Sequence, residues 1–169
     1  MFCKDPELFQ KLFSSHNFGH RGETEFYGLG INAKMSELQT AMGLAVLPYV
    51  TKLLEARKER VEAYDQVLNF SKLRRITFRQ DTVPNYSYYP VIFENEEILL
   101  EVKQALNKQK VFPRRYFHPS LNTLDYVKSS YCEASEKISK TILCLPLGGD
   151  LQDGQLQNIA ECINFILSN

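Results

Sequence analysis

Acidic and basic side chains cancel in this chain, 20 Lys and Arg against 20 Asp and Glu, leaving no net charge. A surface without a dominant sign gives no electrostatic recommendation for nucleic acid or for a membrane. No apolar run approaches the roughly 20 residues that cross a bilayer. The first residues, MFCKDPELF, lack the charged-then-apolar layout of a secretory leader. Cys3, Cys132, Cys144 and Cys162 are scattered with no C-x-x-C pair. That spacing argues against a zinc site and against a disulfide scaffold, so reduced thiols in a cytoplasm are expected. Internal repeats and low-complexity segments are absent as well. What is present suits one domain: 169 residues, enough to enclose a core.

The most informative stretch is Tyr27 to Leu44, YGLGINAKMSELQTAMGL. Gly28 and Gly30 permit backbone angles that residues with a Cβ avoid, which predicts a shaped loop. Ser36 and Gln39 then have the S-x-x-Q spacing of a capping box, a cap worth about 1 kcal/mol. Met35, Leu38, Met42 and Val46 recur at helical spacing and predict one apolar stripe. The loop sets Asn32 and Lys34 just ahead of this helix, where free N–H groups and a cation suit an anion such as a phosphate. A Gly-rich turn before an ordinary core helix fits the same residues.

Elsewhere, Asp5 followed by Pro6 predicts a helix start, with Leu8, Leu12 and Phe13 on its buried side. Ser14 to Glu25 is polar and Gly-containing, hence loop. His16 and His20 lie four apart there, but Gly19 and Gly22 disfavour the helix that would align them, so no metal site is expected. The helix from Glu37 should break near Leu47, because Pro48 removes an amide. A second helix should follow, burying Val50, Leu53, Leu54, Val61, Tyr64, Val67 and Leu68. Its opposite side, with Lys52, Glu55, Arg57, Lys58, Glu59, Arg60 and Glu62, reads as a solvated face.

Strands are predicted over Arg74–Phe78 and Tyr86–Phe93, with Pro90 placing the second at an edge or a bulge. Asn95 should cap a helix whose inner stripe is Ile98, Val102, Ala105 and Leu106. Val111–Phe117 is a third strand candidate, although Pro113 interrupts it. Glu133–Thr141 should be helical, and Leu143–Leu147 forms a short apolar run. Asp150 is expected to cap a last helix carrying Leu156, Ile159, Ala160, Ile163, Ile166 and Leu167 inside. This order gives an α+β domain, a small and mainly antiparallel sheet with helices on one side, preceded by long helices.

Two further groups carry chemistry. Arg114, Arg115, Tyr116, Phe117 and His118 combine adjacent arginines with aromatic rings, a set that engages a diphosphate and stacks on a sugar or base. The competing reading has one arginine outward and its neighbour paired with a core-edge carboxylate. Strand neighbours face opposite ways, so at most one of the two should reach a ligand. His118 is either a substrate contact or a capped loop residue. Tyr86, Tyr88 and Tyr89 read as sheet residues rather than a stacking platform for nucleic acid, and Gly148–Gly149 as a turn.

The segment G-x-N-x-K-M-S-E-L-Q-x-A-M-G-L resembles a hallmark of the DegT/DnrJ/StrS family of nucleotide-sugar aminotransferases, which depend on pyridoxal phosphate (PLP). Three other stretches match family motifs in the same order: KDPELFQKLFSSHNFG, FPRRYFHP and ILCLPLGGDL. The resemblance implies the small C-terminal domain of a fold-type-I PLP enzyme with the long helices that lead into it. It implies a division into residues 1–68, holding a dimer-bridging loop at about 16–35 and a long broken helix, and residues 69–169, the small α/β domain. It further implies PLP as cofactor, an amino-acid donor, a nucleotide-linked keto-sugar acceptor and a homo-oligomer. Asn32 matches the residue that touches the PLP phosphate across the dimer. Lys34 stands where most members carry Arg, keeping the charge but losing the two-pronged geometry. Arg114, Arg115, Tyr116 and His118 fall in the segment near the nucleotide-sugar pocket.

The catalytic lysine of the family sits in an S-F-x-x-x-K stretch that this sequence lacks. Lys4 matches an ordinary surface helix start and is not expected to replace it. No catalytic residue is therefore assigned, and the chain is expected to be a truncated member, inactive by itself. Two alternatives remain: a non-catalytic nucleotide-sugar binding or dimerisation module, and half of a split enzyme completed in trans.

Overall fold

The computed structural model describes residues 3–128, 130–148 and 151–168. The chain divides into two compact units, residues 1–49 and residues 50–169. The first unit holds helix α1 (Pro6–Ser15), helix α2 (Glu37–Val46) and a 3-10 turn at Leu47–Tyr49. Asp5 caps α1 as its sequence predicts, its carboxylate accepting from the amides of Glu7 at 2.9 Å and Leu8 at 3.1 Å. The Ser36–Gln39 capping box is also present: the Gln39 amide donates to Ser36 Oγ, and the Ser36 amide to Gln39 Oε1 at 2.9 Å.

The apolar stripes expected here are not buried. Leu8, Leu12 and Phe13 are exposed, and so is every residue of α2, with Leu38 at 75% and Met42 at 60%. The periodicity correctly predicts the helices, but among the described residues nothing in the first unit covers the faces it marks.

The second unit carries helix α3 (Val50–Val67), strands β1 (Leu73–Arg75) and β2 (Tyr89–Phe93), and helix α4 (Glu96–Lys108). A 3-10 turn at Leu121–Thr123 leads to helix α5 (Glu133–Thr141), strand β3 (Ile142–Leu145) and helix α6 (Asp153–Ser168). The strands form one antiparallel sheet in the order β1-β2-β3, as the α+β expectation requires. Tyr89, Val91, Phe93, Leu143 and Leu145 present one sheet face to a core completed by Val61 and Tyr64 of α3, Leu99, Val102 and Leu106 of α4, and Ile159 and Ile163 of α6. The helix grouped by sequence with the first 68 residues thus contributes core residues to the second unit. Burying one such aliphatic side chain is worth about 1.5–3 kcal/mol.

Several boundaries differ from expectation. The strands are shorter, because Ile76–Phe78 and Tyr86–Tyr88 find no ladder partner. β2 is the central strand despite Pro90. β1 pairs only with Val91, Ile92 and Phe93, so Pro90 has a strand neighbour on the β3 side alone and costs no ladder bond there. The third strand candidate shrinks to a single bridge, Arg114 with Cys144. On α3, Val50 and Leu53 are exposed, and on α4 Leu99 takes the inward place predicted for Ile98. Asn95 caps α4 through Ile98 as predicted. Asp150 and Gly149 lie outside the described residues.

Candidate functional site

In the first unit, the loop from His16 to Met35 folds back on the C-terminal end of α1. Its backbone is tied by Phe18 N–H to Ile31 O at 3.1 Å, Ile31 N–H to Ser15 O at 2.8 Å and Ala33 N–H to His16 O at 2.9 Å. Gly19 adopts φ +81°, a region open to glycine and strained for other residues. Gly30 is required for a different reason from the one its sequence suggests. A Cβ there would sit 2.1 Å from the Gly19 nitrogen and 2.6 Å from Ser15 O, so this glycine supplies space rather than a special angle.

That fold presents Asn32 at the surface, bridged through its backbone to Asn17. Lys34 is already engaged. Its ammonium donates to Asn17 Oδ1 at 2.7 Å and lies 4.5 Å from the centre of the Phe18 ring. Lys34 therefore clamps the two arms of the loop together, the role its position next to Asn32 did not reveal.

In the second unit, the PRRYFHP segment runs along the outer side of β3. Arg114 exchanges two backbone hydrogen bonds with Cys144, at 3.1 and 2.8 Å. The two arginines then face apart, as strand alternation demands. Arg115 turns inward. It donates to the Glu96 carboxylate at 2.6 Å, to His118 Nδ1 at 3.0 Å and to the Lys140 carbonyl at 3.1 Å. These bonds hold the last turn of α5, whose carbonyls have no partner within the helix. The Glu96 carboxyl is held below its ordinary value chiefly by that Arg115 hydrogen bond. His118 is thus fixed within a structural cluster rather than presented freely.

Arg114 turns outward. Its guanidinium donates to the Tyr116 hydroxyl, and Tyr116 meets Tyr88 edge to face with ring centres 5.4 Å apart. Both line a cleft of about 450 Å³ together with Arg57, Ser87, Phe112 and the Cys144–Gly148 stretch. Burial pushes the Cys144 thiol up, so it is a poor nucleophile and serves as part of the wall. The sequence reads Arg57 as part of a solvated face and Tyr88 as a sheet residue, whereas both line this cleft and Tyr88 lies just outside β2. The available signal was Arg57's position seven residues before the core residue Tyr64, two helical turns along the same side.

Residues 1–164 match the model of the DegT/DnrJ/EryC1/StrS aminotransferase family. The chain belongs to that family. Its sequence is 31% identical to a dTDP-4-amino-4,6-dideoxy-D-glucose transaminase of Shigella dysenteriae, over 97% of this chain and 47% of the relative. It is 25% identical to a UDP-4-amino-4,6-dideoxy-N-acetyl-beta-L-altrosamine transaminase of Helicobacter pylori, over 94% of this chain and 45% of the relative. A crystal structure of a DegT DnrJ EryC1 StrS aminotransferase from Brucella abortus superposes with a TM-score of 0.87 at 21% identity, covering 99% of this chain and 46% of its own. That likeness shows the fold of this part of the family. The chain spans about half the length of the curated relatives it matches.

Family members use PLP, whose aldehyde needs an enclosed amine and whose ring nitrogen needs an acidic partner. Among the described residues no lysine and no aspartate or glutamate is buried. These residues do not by themselves form a site for the cofactor. They fit it at one point only, where the exposed Asn32 amide could meet a phosphate.

Proposed function

We propose that this chain forms the substrate-facing portion of a PLP-dependent aminotransferase that moves an amino group from an amino acid to a nucleotide-linked keto-sugar. The observation that carries the reading is the outward Arg114–Tyr116 pair on a cleft wall, in a family that includes curated nucleotide-sugar transaminases. Arg114 would meet phosphate oxygens and Tyr116 would flank the sugar. Arg115 and His118 support that wall from behind. In the first unit Asn32 would contact the PLP phosphate of a neighbouring subunit, and Lys34 would hold the loop that presents it. The protein would work in the cytoplasm as a homo-oligomer.

The Schiff-base amine would come from outside these 169 residues, since every described lysine is at least partly exposed. The chain alone should therefore catalyse no transfer. Mixed with PLP and reduced with borohydride, it should yield no stoichiometric lysine adduct by mass spectrometry. Such an adduct, or turnover of a keto-sugar by the purified chain with only coenzyme and donor added, would overturn this assignment. The absence of a buried lysine also supports a second reading, a nucleotide-sugar binding module or one half of an enzyme completed in trans. Saturable binding of a UDP- or dTDP-sugar with no turnover after adding the large domain of a relative would favour the module.

A further inference from the structure

β1 lies at the edge of the sheet, with β2 on one side and, among the described residues, no strand on the other. The chain runs on through residues 76–79 with neither helix nor turn. The amides of Ile76, Thr77 and Phe78 meet no backbone carbonyl among the described residues. A row of unpaired N–H and C=O groups is a template for a further strand. This one is held firmly from the core side. Leu73 is buried, and Arg75 is paired with Asp65 and lies 4.7 Å from the centre of the Tyr89 ring.

Charge limits what can pair there. Between Gln66 and Gln80 the sequence holds Lys72, Arg74, Arg75 and Arg79 and no acidic residue, in a chain whose charges cancel overall. Arg75 has its carboxylate, and the Lys72 ammonium donates to the Leu167 carbonyl. Arg74 and Arg79 are exposed and, among the described residues, make no ion pair. Pairing the edge with a second copy would bring two such basic stretches together with nothing to offset them. A nucleic acid has the charge but no carbonyls repeating at the spacing of a β ladder. An acidic peptide has both. Its carboxylates meet Arg74 and Arg79, its backbone completes the edge, and its apolar side chains cover Ile76 and Phe78, which are exposed.

We propose that β1 and residues 76–79 form a docking edge for an acidic peptide strand of another protein, which adds to the sheet beside β1. Side chains of a paired strand alternate, so Arg74, Ile76 and Phe78 share one face and Arg79 takes the other. The fitting partner therefore alternates carboxylates with β-branched or aromatic residues. Arg114 bridges Cys144 on β3, at the opposite edge of the sheet, so this edge makes no use of the Arg114–Tyr116 wall.

Fluorescence anisotropy of the purified chain tests it with labelled peptides in which Glu alternates with Val, Ile or Tyr. These should bind saturably and slow amide exchange over residues 73–79. Peptides with Glu clustered at one end, with Pro at the centre or with Lys for Glu should bind at least about tenfold more weakly, and so should a thymidine oligonucleotide. Successive strand amides point to opposite edges, so one of I76P and T77P removes an outward donor. That variant should weaken the acidic peptides at least about tenfold, as should R74E combined with R79E, whereas K52E on α3 should match the parent. Circular dichroism reports whether each variant keeps the fold. The double arginine variant should also bind the Lys peptides better than the parent does, a gain that misfolding cannot produce.

No saturable binding, equal binding of the clustered or Pro-containing peptides, or loss from neither proline variant would each overturn the proposal. Tighter binding of the oligonucleotide would assign the edge to nucleic acid instead, and self-association abolished by I76P or T77P would assign it to a second copy. The assay contains neither coenzyme nor amino donor, so its result and that of the aminotransferase reading are independent.

Discussion

Gly30 rests against Gly19 so closely that a Cβ on Gly30 would lie 2.1 Å from the Gly19 nitrogen, 2.5 Å from the Phe18 carbonyl carbon and 2.6 Å from Ser15 O. All three atoms belong to the backbone, so no side chain can swing aside. Gly30→Ala should force the loop apart at a cost of at least about 1–3 kcal/mol. Hydrogen exchange by mass spectrometry should show faster exchange at Phe18, Ile31 and Ala33, whose amides tie the loop. Exchange of the second unit's core should stay unchanged.

Arg115 and Glu96 make the best-enclosed ion pair of the second unit, with the arginine 14% and the glutamate 34% exposed. Arg115→Ala should cost about 2 kcal/mol in urea unfolding, less than a fully buried pair because Glu96 keeps solvent. Arg115→Lys should recover only part, since a single ammonium cannot reach Glu96, His118 and the α5 carbonyls together.

The same pair sets a pH dependence. The Glu96 carboxyl titrates below its ordinary 4.5 in the folded chain. A depressed acid stabilises the fold fully above its unfolded value and loses that contribution as pH falls through the folded one. The stability gap between the parent and Glu96→Gln should therefore be constant at neutral pH and shrink below about pH 4.5.

Tyr64 and Tyr89 stack with ring centres 4.8 Å apart in the core, and their hydroxyls donate to Pro146 O at 3.0 Å and Asp65 Oδ1 at 2.6 Å. Burial raises both phenols above the ordinary 10, and the Asp65 hydrogen bond raises Tyr89 further. A raised phenol stabilises the fold fully below its unfolded value and ceases to as pH climbs through the folded one. Ultraviolet titration should find both tyrosines protonated until the chain unfolds in alkali. Tyr89→Phe, which strands the Asp65 bond, should cost about 1–3 kcal/mol.

Leu38 and Met42 lie one helical turn apart on α2 and are both exposed. Such a stripe favours association with a second copy of the chain. Sedimentation velocity should show self-association that Leu38→Glu with Met42→Glu reduces. A parent chain that stays monomeric at high concentration would refute it.

How far the sequence speaks depends on whether the governing contact is local. The Asp5 cap, the Ser36–Gln39 box and the Asn95 cap are all fixed within three residues, and all three appear as read. The inward residues of α6 were equally legible, because Leu156, Ile159, Ala160, Ile163 and Leu167 repeat at helical spacing. Lys34 was not, since its partner Asn17 lies 17 residues back. Arg115 was legible as a choice between two fates, and only Glu96, 19 residues away, decides it. Arg57 escaped because a charged helix face gives no sign of which member meets a loop 57 residues further along, at Arg114. The exposed stripes of α1 and α2 show the converse limit: periodicity names the face that wants cover but not whether the cover is on the same chain.

Among the described residues of the first unit, only Ser14 and Gly19 are buried. Hydration of apolar surface dominates the heat capacity of unfolding, and this unit has little such surface to expose. On warming, it should come undone with almost no calorimetric signature, leaving the recorded endotherm to the second unit. Its order is held by main-chain hydrogen bonds and glycine contacts. A neighbour that covered α2 would therefore change the thermogram itself, converting a silent loss into a second resolved peak.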